Sequence, residues 1–338
     1  MLFIYHMSYK IIPVILILSL FALGCMLSGC EDASEEILIM SWNVENLFDG
    51  KDDGDEYLEY DPSRSDWDQA AYHTRLRVLT DIIRDSGADI IMLQEIEGED
   101  VLKDMGNLLR FPYHASTEDE ASAIQCGILS RFPITEVKTH SPASSIYPLN
   151  RSILQAVIDI QDERVVLFIN HWKSRIGGVI ETEKARVFSA RLLAHQISSE
   201  LVEHPRSLII CGGDLNTSVK DSPKGSSAIY EISDPDLIDG RLLVSGDPSL
   251  VAGSTLYDFW GSAEVNTGSY RYDEEWYQFD HLLCSSGLFD ESGFELGTVG
   301  VYMTDALTDS AGHPDSWSRY KMRGVSDHFP LLLMLTAP

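Results

Sequence analysis

The 338-residue chain is poor in cations: 25 lysines and arginines stand against 53 aspartates and glutamates, a formal net charge of −28. So acidic a chain repels nucleic acid and anionic membranes at long range, which excludes binding through an ordinary basic patch. If it acts on a phosphate, something else must neutralise that phosphate, and a divalent cation held by carboxylates is the obvious choice. Cysteine is scarce, with five in all, and the absence of any CxxC pair argues against a zinc–thiolate centre. Cys126, Cys211 and Cys284 each lie in an apolar run (CGILS, LIICGG, HLLCSS) and read as core thiols, not as a disulfide framework. With 44% hydrophobic residues the chain is globular. Its length suits one large α/β domain or two ordinary ones.

The N-terminal apolar run is short for a membrane span, with a single transmembrane anchor as the alternative reading. The apolar run from Ile11 to Leu27 is interrupted by Pro13 and falls short of the ~20 residues a spanning helix needs. Lys10 precedes it, and Leu27-Ser28-Gly29-Cys30 with Glu31-Asp32 follows, the layout of a secretory signal. Leu-Ser-Gly-Cys resembles a bacterial lipobox, which would make Cys30 the lipidated first residue of a mature protein, anchored in or secreted to the bacterial cell envelope. The expected organisation is a signal over residues 1–29, a tether over 30–36 and one domain over 37–338.

Apolar runs of strand length recur at Ile37–Ser41, Ile90–Leu93, Gln125–Ser130, Ile153–Ile160, Val165–Asn170, Leu208–Cys211, Phe279–Ser285 and Phe329–Leu335. Helical spacing appears at Leu76, Leu79, Ile82 and Ile83, within Thr74–Asp85, and again over Glu183–Glu203. Several strands follow one another without a helix, which predicts two packed sheets with helices outside them. The acid-rich segment Asp49–Asp68 fails the EF-hand pattern, because Lys51 and Tyr60 stand where oxygen ligands are required. It reads as a solvated loop with at most a weak cation contact.

Polar residues cluster where these runs end. Trp42-Asn43, Gln94-Glu95, His171, Asp214 with Asn216, Asp280-His281 and Asp327-His328 each sit at the end or head of a strand. Taken singly, LIICGGDLNTS is a turn, since Gly, Asp and Asn all favour one. Six such endings point instead to a site where loops converge. Within it, Gly212 and Gly213 would let the backbone pass close beneath a phosphate.

The motifs WNVENLFD, LQEIE, NHWKSR, GDLN, FDH and SDHFP resemble, in order and spacing, those of the endonuclease/exonuclease/phosphatase superfamily, whose fold is that of pancreatic deoxyribonuclease. The resemblance runs from about Ile37 to Leu335. It implies an α/β four-layer sandwich of two packed mixed sheets flanked by helices, and phosphoester hydrolysis with Mg²⁺, or with Mn²⁺ or Ca²⁺ in its place. It implies metal binding by Glu95, with Asn43 and Asp327 beside it. Asp214 and Asn216 would orient the water or bind a second ion. His328, oriented by Asp280, would be general base or phosphate contact, and His171 would contact the phosphate or protonate the leaving oxygen. These types suit an in-line displacement at phosphorus. His281 is expected to be structural, because successive strand residues face opposite ways. Tyr147 or Arg151 would stand in for a phosphate-contacting tyrosine found in several nuclease members.

Lys173, Arg175, Lys184, Arg186 and Arg191 form a local concentration of cations placed to touch flanking phosphates; a solvated helix face is the bland alternative. YRYDEEWYQFDH is rich in rings that would stack on bases or simply pack. The expected protein is a monomeric, metal-dependent nuclease of DNA or RNA, held at a membrane by lipid. The alternatives are a phospholipid phosphodiesterase of sphingomyelinase type, a phosphatase, or a binding lipoprotein on the same fold. The lipid-hydrolysing alternative needs an exposed aromatic or aliphatic insertion hairpin, and none is evident in the sequence.

Overall fold

Apolar runs bounded by turn residues become strands, and every second residue of a strand faces the same side. In the computed structural model, which describes residues 36–337 except 55, 120–121, 143–150, 220–227, 232–241 and 263–267, sixteen strands and three helices form. The expected signal, the tether through residue 35, Cys30 and Tyr147 lie outside the described residues. The strands are β1 (Glu36–Leu47), β2 (Ile90–Ile96), β3 (Tyr113–Ser116), β4 (Gln125–Ser130), β5 (Ile134–His140), β6 (Ile153–Ile160), β7 (Glu163–His171) and β8 (Leu208–Asp214). They continue as β9 (Ile229–Glu231), β10 (Leu242–Ser245), β11 (Leu256–Asp258), β12 (Tyr270–Tyr272), β13 (Glu275–Tyr277), β14 (Asp280–Cys284), β15 (Glu295–Val301) and β16 (Leu331–Thr336). The helices are α1 (Gln69–Ser86), α2 (Glu99–Leu109) and α3 (Val179–Glu203).

One sheet has six strands in the order β15-β16-β1-β2-β4-β3, the other eight in the order β5-β6-β7-β8-β14-β11-β10-β9. Strand alternation divides the apolar residues. Ile90 and Met92 of β2, with Leu208 and Ile210 of β8, enter the core between the sheets. Ile91 and Leu93 point the other way, against Leu79 and Ile83 of α1 and Leu102 and Met105 of α2. Ile209 and Cys211 face Leu193 and Ile197 of α3. The result is the expected four-layer sandwich, with Glu36–Pro338 as one compact unit. Cys126, Cys211 and Cys284 are buried free thiols.

The parallel pairs β1–β2 and β7–β8 each require a crossover, which α1 and α3 supply. Helix α1 starts earlier than its apolar spacing indicates, because Asp68 caps it, accepting the Ala71 N–H at 2.9 Å. Gly87 stops it in the left-handed region, φ 73°. Strand β1 runs six residues past Ser41. Its register against β2 shifts between Asn43 and Leu47, where Glu45 and Asn46 adopt φ of 57° and 56°.

Gly212 and Gly213 are needed for packing. A Cβ on Gly212 would meet Met92 Cε of the other sheet at 2.4 Å, and one on Gly213 would meet the Asn170 carbonyl oxygen at 1.9 Å. Gly212→Ala is therefore expected to overpack the inter-sheet core and cost about 1–3 kcal/mol, measured by urea unfolding, with the fold retained.

Candidate active site

Strand direction decides where the polar endings meet. Strands β1, β2, β7 and β8 finish at one end of the sandwich, and the antiparallel strands β14 and β16 begin there. In register, His171 lies beside Asp214 and Asp214 beside Asp280, while Asn43 lies beside Gln94, one residue before Glu95. All six predicted endings reach the same end of the fold.

The focal atom is Asp214 Oδ2. It accepts from Asn216 Nδ2 at 3.0 Å and from Asn43 Nδ2 at 3.2 Å. His171 Nε2 lies 3.6 Å away and His328 Nε2 4.0 Å away. Asn43 Nδ2 also donates to Glu95 Oε1 at 3.0 Å, and His171 Nε2 is 3.4 Å from that oxygen. Asn43 thus bridges the carboxylates of the two sheets. Its own Oδ1 accepts the Glu45 N–H at 3.0 Å. The potential ligand atoms of Glu95, His171 and Asp214 lie within 4.8 Å of one another. Two carboxylates and one imidazole form a donor set that could hold a divalent cation. Asp327 is more open, its side chain 36% exposed, with Oδ1 3.9 Å from His328 Nε2.

Environment separates the two histidines. His328 Nδ1 is 2.7 Å from Asp280 Oδ2. Burial opposes the imidazolium, but Asp280, Asp327 and Asp214 together hold its pKa well above the usual value, so the ring is charged at neutral pH. Burial pushes the His171 pKa well below the usual value, and Arg151, His328 and Lys173 add to the effect, so this ring is neutral. Its buried Nδ1 has no hydrogen-bond partner among the described residues, in contrast to the anchored Nδ1 of His328. Burial raises the Asp214 carboxyl to about 7, partly offset by His328 and reinforced by Asp280. Burial and Glu95 raise Asp327 against the opposing His328. His281 is buried between Asp258 Oδ2 at 3.1 Å and the Thr217 carbonyl at 3.0 Å, a structural role.

The predicted cations divide. Arg151 donates to the Trp172 carbonyl at 3.0 Å and lies close enough to depress His171. Arg175 Nε donates to the Asn216 carbonyl at 2.9 Å, and its guanidinium covers Phe279 at 4.3 Å. Lys173 is half-buried, and burial with Arg151 and Arg186 lowers its pKa. Arg186 cannot reach a flanking phosphate. It is fully buried and ties the loop before α3, donating to the Lys173 and Val179 carbonyls at 3.0 Å and to Glu183 at 2.6 Å. Lys184 and Arg191 are exposed on α3.

A brace around residues 44–46 has no motif to announce it. Arg75, fully buried, donates to the carbonyls of Val44, Glu45 and Asn46. The turn it holds offers the Asn46 N–H to Glu95 Oε2 at 3.0 Å and Glu45 Oε2 to the Asp327 N–H at 3.0 Å. Trp42 Nε1 donates to the His328 carbonyl at 3.0 Å, and Ser326 Oγ to the Asn43 carbonyl at 2.7 Å. The helical spacing of α1 places Arg75 beside Leu76 and Leu79, and an arginine among apolar positions was the available signal. The acidic loop is more built than expected: Asp49 is buried and ion-paired to Lys51. Glu97 is raised to about 8, chiefly by burial.

The four-layer sandwich thus gathers carboxylates, an amide and two unlike histidines at one end. The sequence matches the Endonuclease/Exonuclease/phosphatase family over residues 38–337, and the chain belongs to that family. No curated protein matches it. Among solved structures, TDP2 from Caenorhabditis elegans is 17% identical with a TM-score of 0.56, covering 90% of this chain and 75% of its own. An endonuclease/exonuclease/phosphatase family protein from Bacteroides thetaiotaomicron is 18% identical with a TM-score of 0.52, covering 90% and 99%. D. rerio TDP2 complexed with single-strand DNA product is 14% identical with a TM-score of 0.53, covering 89% and 98%. At these identities the likeness shows the fold.

Two outcomes are expected. Arg75→Met leaves three carbonyls without their donor and should cost about 3–5 kcal/mol in chemical unfolding. Below pH 6.5 the unfolded chain binds a proton that buried His171 refuses, so His171 makes stability fall as pH drops. His171→Phe should therefore gain on the parent protein from pH 6.5 to 5, by at most about 1.4 kcal/mol per pH unit, in urea titrations of metal-free protein.

Proposed function

We propose that this protein is a divalent-metal-dependent phosphodiesterase that hydrolyses nucleic acid, DNA or RNA, by in-line attack of water on phosphorus. The observation that carries the reading is the convergence of Glu95, Asp214, Asn43 and the Asp280–His328 pair from strands remote in sequence. Glu95 and Asp214 would hold the ion, with His171 and Asp327 at hand. A bound divalent ion supplies neutralisation of the phosphate charge and of charge developing on the leaving oxygen. Asp214, fixed by the Asn216 and Asn43 amides, would also orient the attacking water. His328 is anchored through Nδ1 to Asp280, and carboxylates around it favour its charged form, so its Nε2 suits a hydrogen bond to a phosphate oxygen. Neutral His171 faces the same space and would hydrogen-bond a phosphate oxygen. Lys173 and Arg151 flank the site on the His171 side and suit neighbouring phosphates. A DNA product is bound by a relative of the same fold, which supports a nucleic-acid substrate. Release to, or lipid anchoring at, a bacterial envelope through Cys30 belongs to the same reading.

A second reading, phospholipid phosphodiesterase, is favoured by one feature. The loop after His171 and the first turn of α3 expose Ile176, Val179 and Ile180, at 83%, 49% and 82%, an aliphatic tip. Lys173 and Lys184 flank it in the sequence. Aliphatic side chains do not stack on bases, but they enter lipid.

The compact unit Glu36–Pro338, assayed on plasmid DNA, RNA, sphingomyelin vesicles and bis(p-nitrophenyl) phosphate with Mg²⁺, Mn²⁺, Ca²⁺ or EDTA, separates these. Hydrolysis of DNA or RNA that EDTA abolishes and that Asp214→Ala reduces by about 10²–10⁴ is the expected result. Equal rates in EDTA would overturn the metal mechanism. Turnover of vesicles alone, lost in Ile176→Ser/Ile180→Ser while bis(p-nitrophenyl) phosphate is still cleaved, would establish the lipid reading instead.

A further inference from the structure

We propose that Ser269 and Tyr270 are positioning residues for His328, outside every motif the family resemblance supplies. Two constraints are needed to aim an imidazole: one in the ring plane and one against rotation out of it. Asp280 Oδ2 supplies the first at 2.7 Å from Nδ1, and Ser269 holds Asp280. Its hydroxyl donates to the same Oδ2 at 2.5 Å, and the Asp280 N–H reaches Ser269 Oγ at 3.4 Å. Ser269 is fully buried, so it acts only through its neighbours. Its carbonyl accepts the Phe329 N–H at 2.8 Å, tying the segment that follows His328 to the same residue.

Tyr270 supplies the second constraint. Its ring stacks on the His328 imidazole with centroids 4.6 Å apart and planes 30° apart, and the backbones of the two residues bridge. Phe279 backs the tyrosine at 5.6 Å and 22°. The imidazole is thus clamped between a shared carboxylate oxygen and an aromatic face, with Nε2 left directed at Asp214. Without Ser269, Asp280 Oδ2 loses its second donor and the carboxylate is free to turn. Without the ring of Tyr270, the imidazole can rotate about its Cβ–Cγ bond, and Nε2 leaves the phosphate position.

The inference rests on the hydrolase reading, and two readouts keep the two separable. With bis(p-nitrophenyl) phosphate and Mg²⁺, Ser269→Ala and Tyr270→Ala in Glu36–Pro338 should each lower kcat by about 10- to 100-fold with little change in KM. Ser269→Thr and Tyr270→Phe should recover most of the loss. In an Asp280→Asn background, Ser269→Ala should cost nothing further, because the carboxylate it orients is gone. A loss that is equal in both backgrounds, or that Thr and Phe fail to rescue, would overturn the proposal. Independently of turnover, the hydrogen-bonded Nδ1–H of His328 should give a slowly exchanging downfield ¹H–¹⁵N signal that disappears in Ser269→Ala and in Tyr270→Ala. Persistence of that signal unchanged in both variants refutes the clamp. If no phosphodiester is turned over but the signal responds, the hydrolase reading fails and the clamp stands. Thermal unfolding of each variant identifies any that has lost its fold.

Discussion

Asp214 Oδ2 is a carboxylate oxygen buried at the meeting of two sheets, and the surrounding geometry is a response to its charge. Removing a carboxylate from water costs several kcal/mol unless donors or a counter-charge replace the solvent. Two amides, from Asn43 and Asn216, supply donors. The charged His328 supplies part of the charge, at 4.0 Å. The balance is still anionic, since Glu95 and Asp280 enter the same region and raise the proton affinity of Asp214 and Asp327. A cation completes that balance, and an incoming phosphate would aggravate it unless one were present. The same logic explains how a chain of net charge −28 can belong to a family that handles polyanions: attraction is confined to the site and is not spread over the surface.

The two histidines show how one fold obtains opposite proton affinities from the same side chain. His328 is stacked, anchored through Nδ1 and ringed by carboxylates, and stays charged. His171 is equally buried, but Arg151 and Lys173 stand near it and its Nδ1 meets no acceptor, so it stays neutral. Groups whose environments drive their pKa values apart are what a reaction needs when one must hold a proton and the other must not.

The layered fold was legible because its cause is local. Apolar runs of four to eight residues with turns between them admit few arrangements once helices are sparse. The principal site residues were legible because their strands end on them, and His281 could be set aside from Asp280 by alternation alone. What escaped was what depends on long-range contact. The continuation of β1 into a left-handed turn at Glu45 and Asn46 follows from a guanidinium arriving from α1, and no pattern within WNVENLF encodes that arrival. Arg186 looked like a surface cation because helical spacing says nothing of a loop folding over it. Gly212 and Gly213 sat beside the right residues, but the atoms they make room for come from Met92 on another sheet and Asn170 on the neighbouring strand. The aliphatic tip at Ile176 and Ile180 could not be told from core by composition, only by exposure.

Strand β1 pairs with β16 along Glu36–Ser41, so the first strand to leave the ribosome waits for the last. Until Ser326–His328 has emerged, Trp42, Asn43 and Glu45 lack the partners that they hold in the finished fold, and Asp214 lacks its charged neighbour. Closing so long a loop is entropically slow. A chain interrupted before Ser326–His328 therefore carries Glu95, His171, Asp214 and Asn216 without the neighbours that Asp327 and His328 supply. The order of synthesis thus sets the order in which the site can be assembled, with β16 closing what β1 opened.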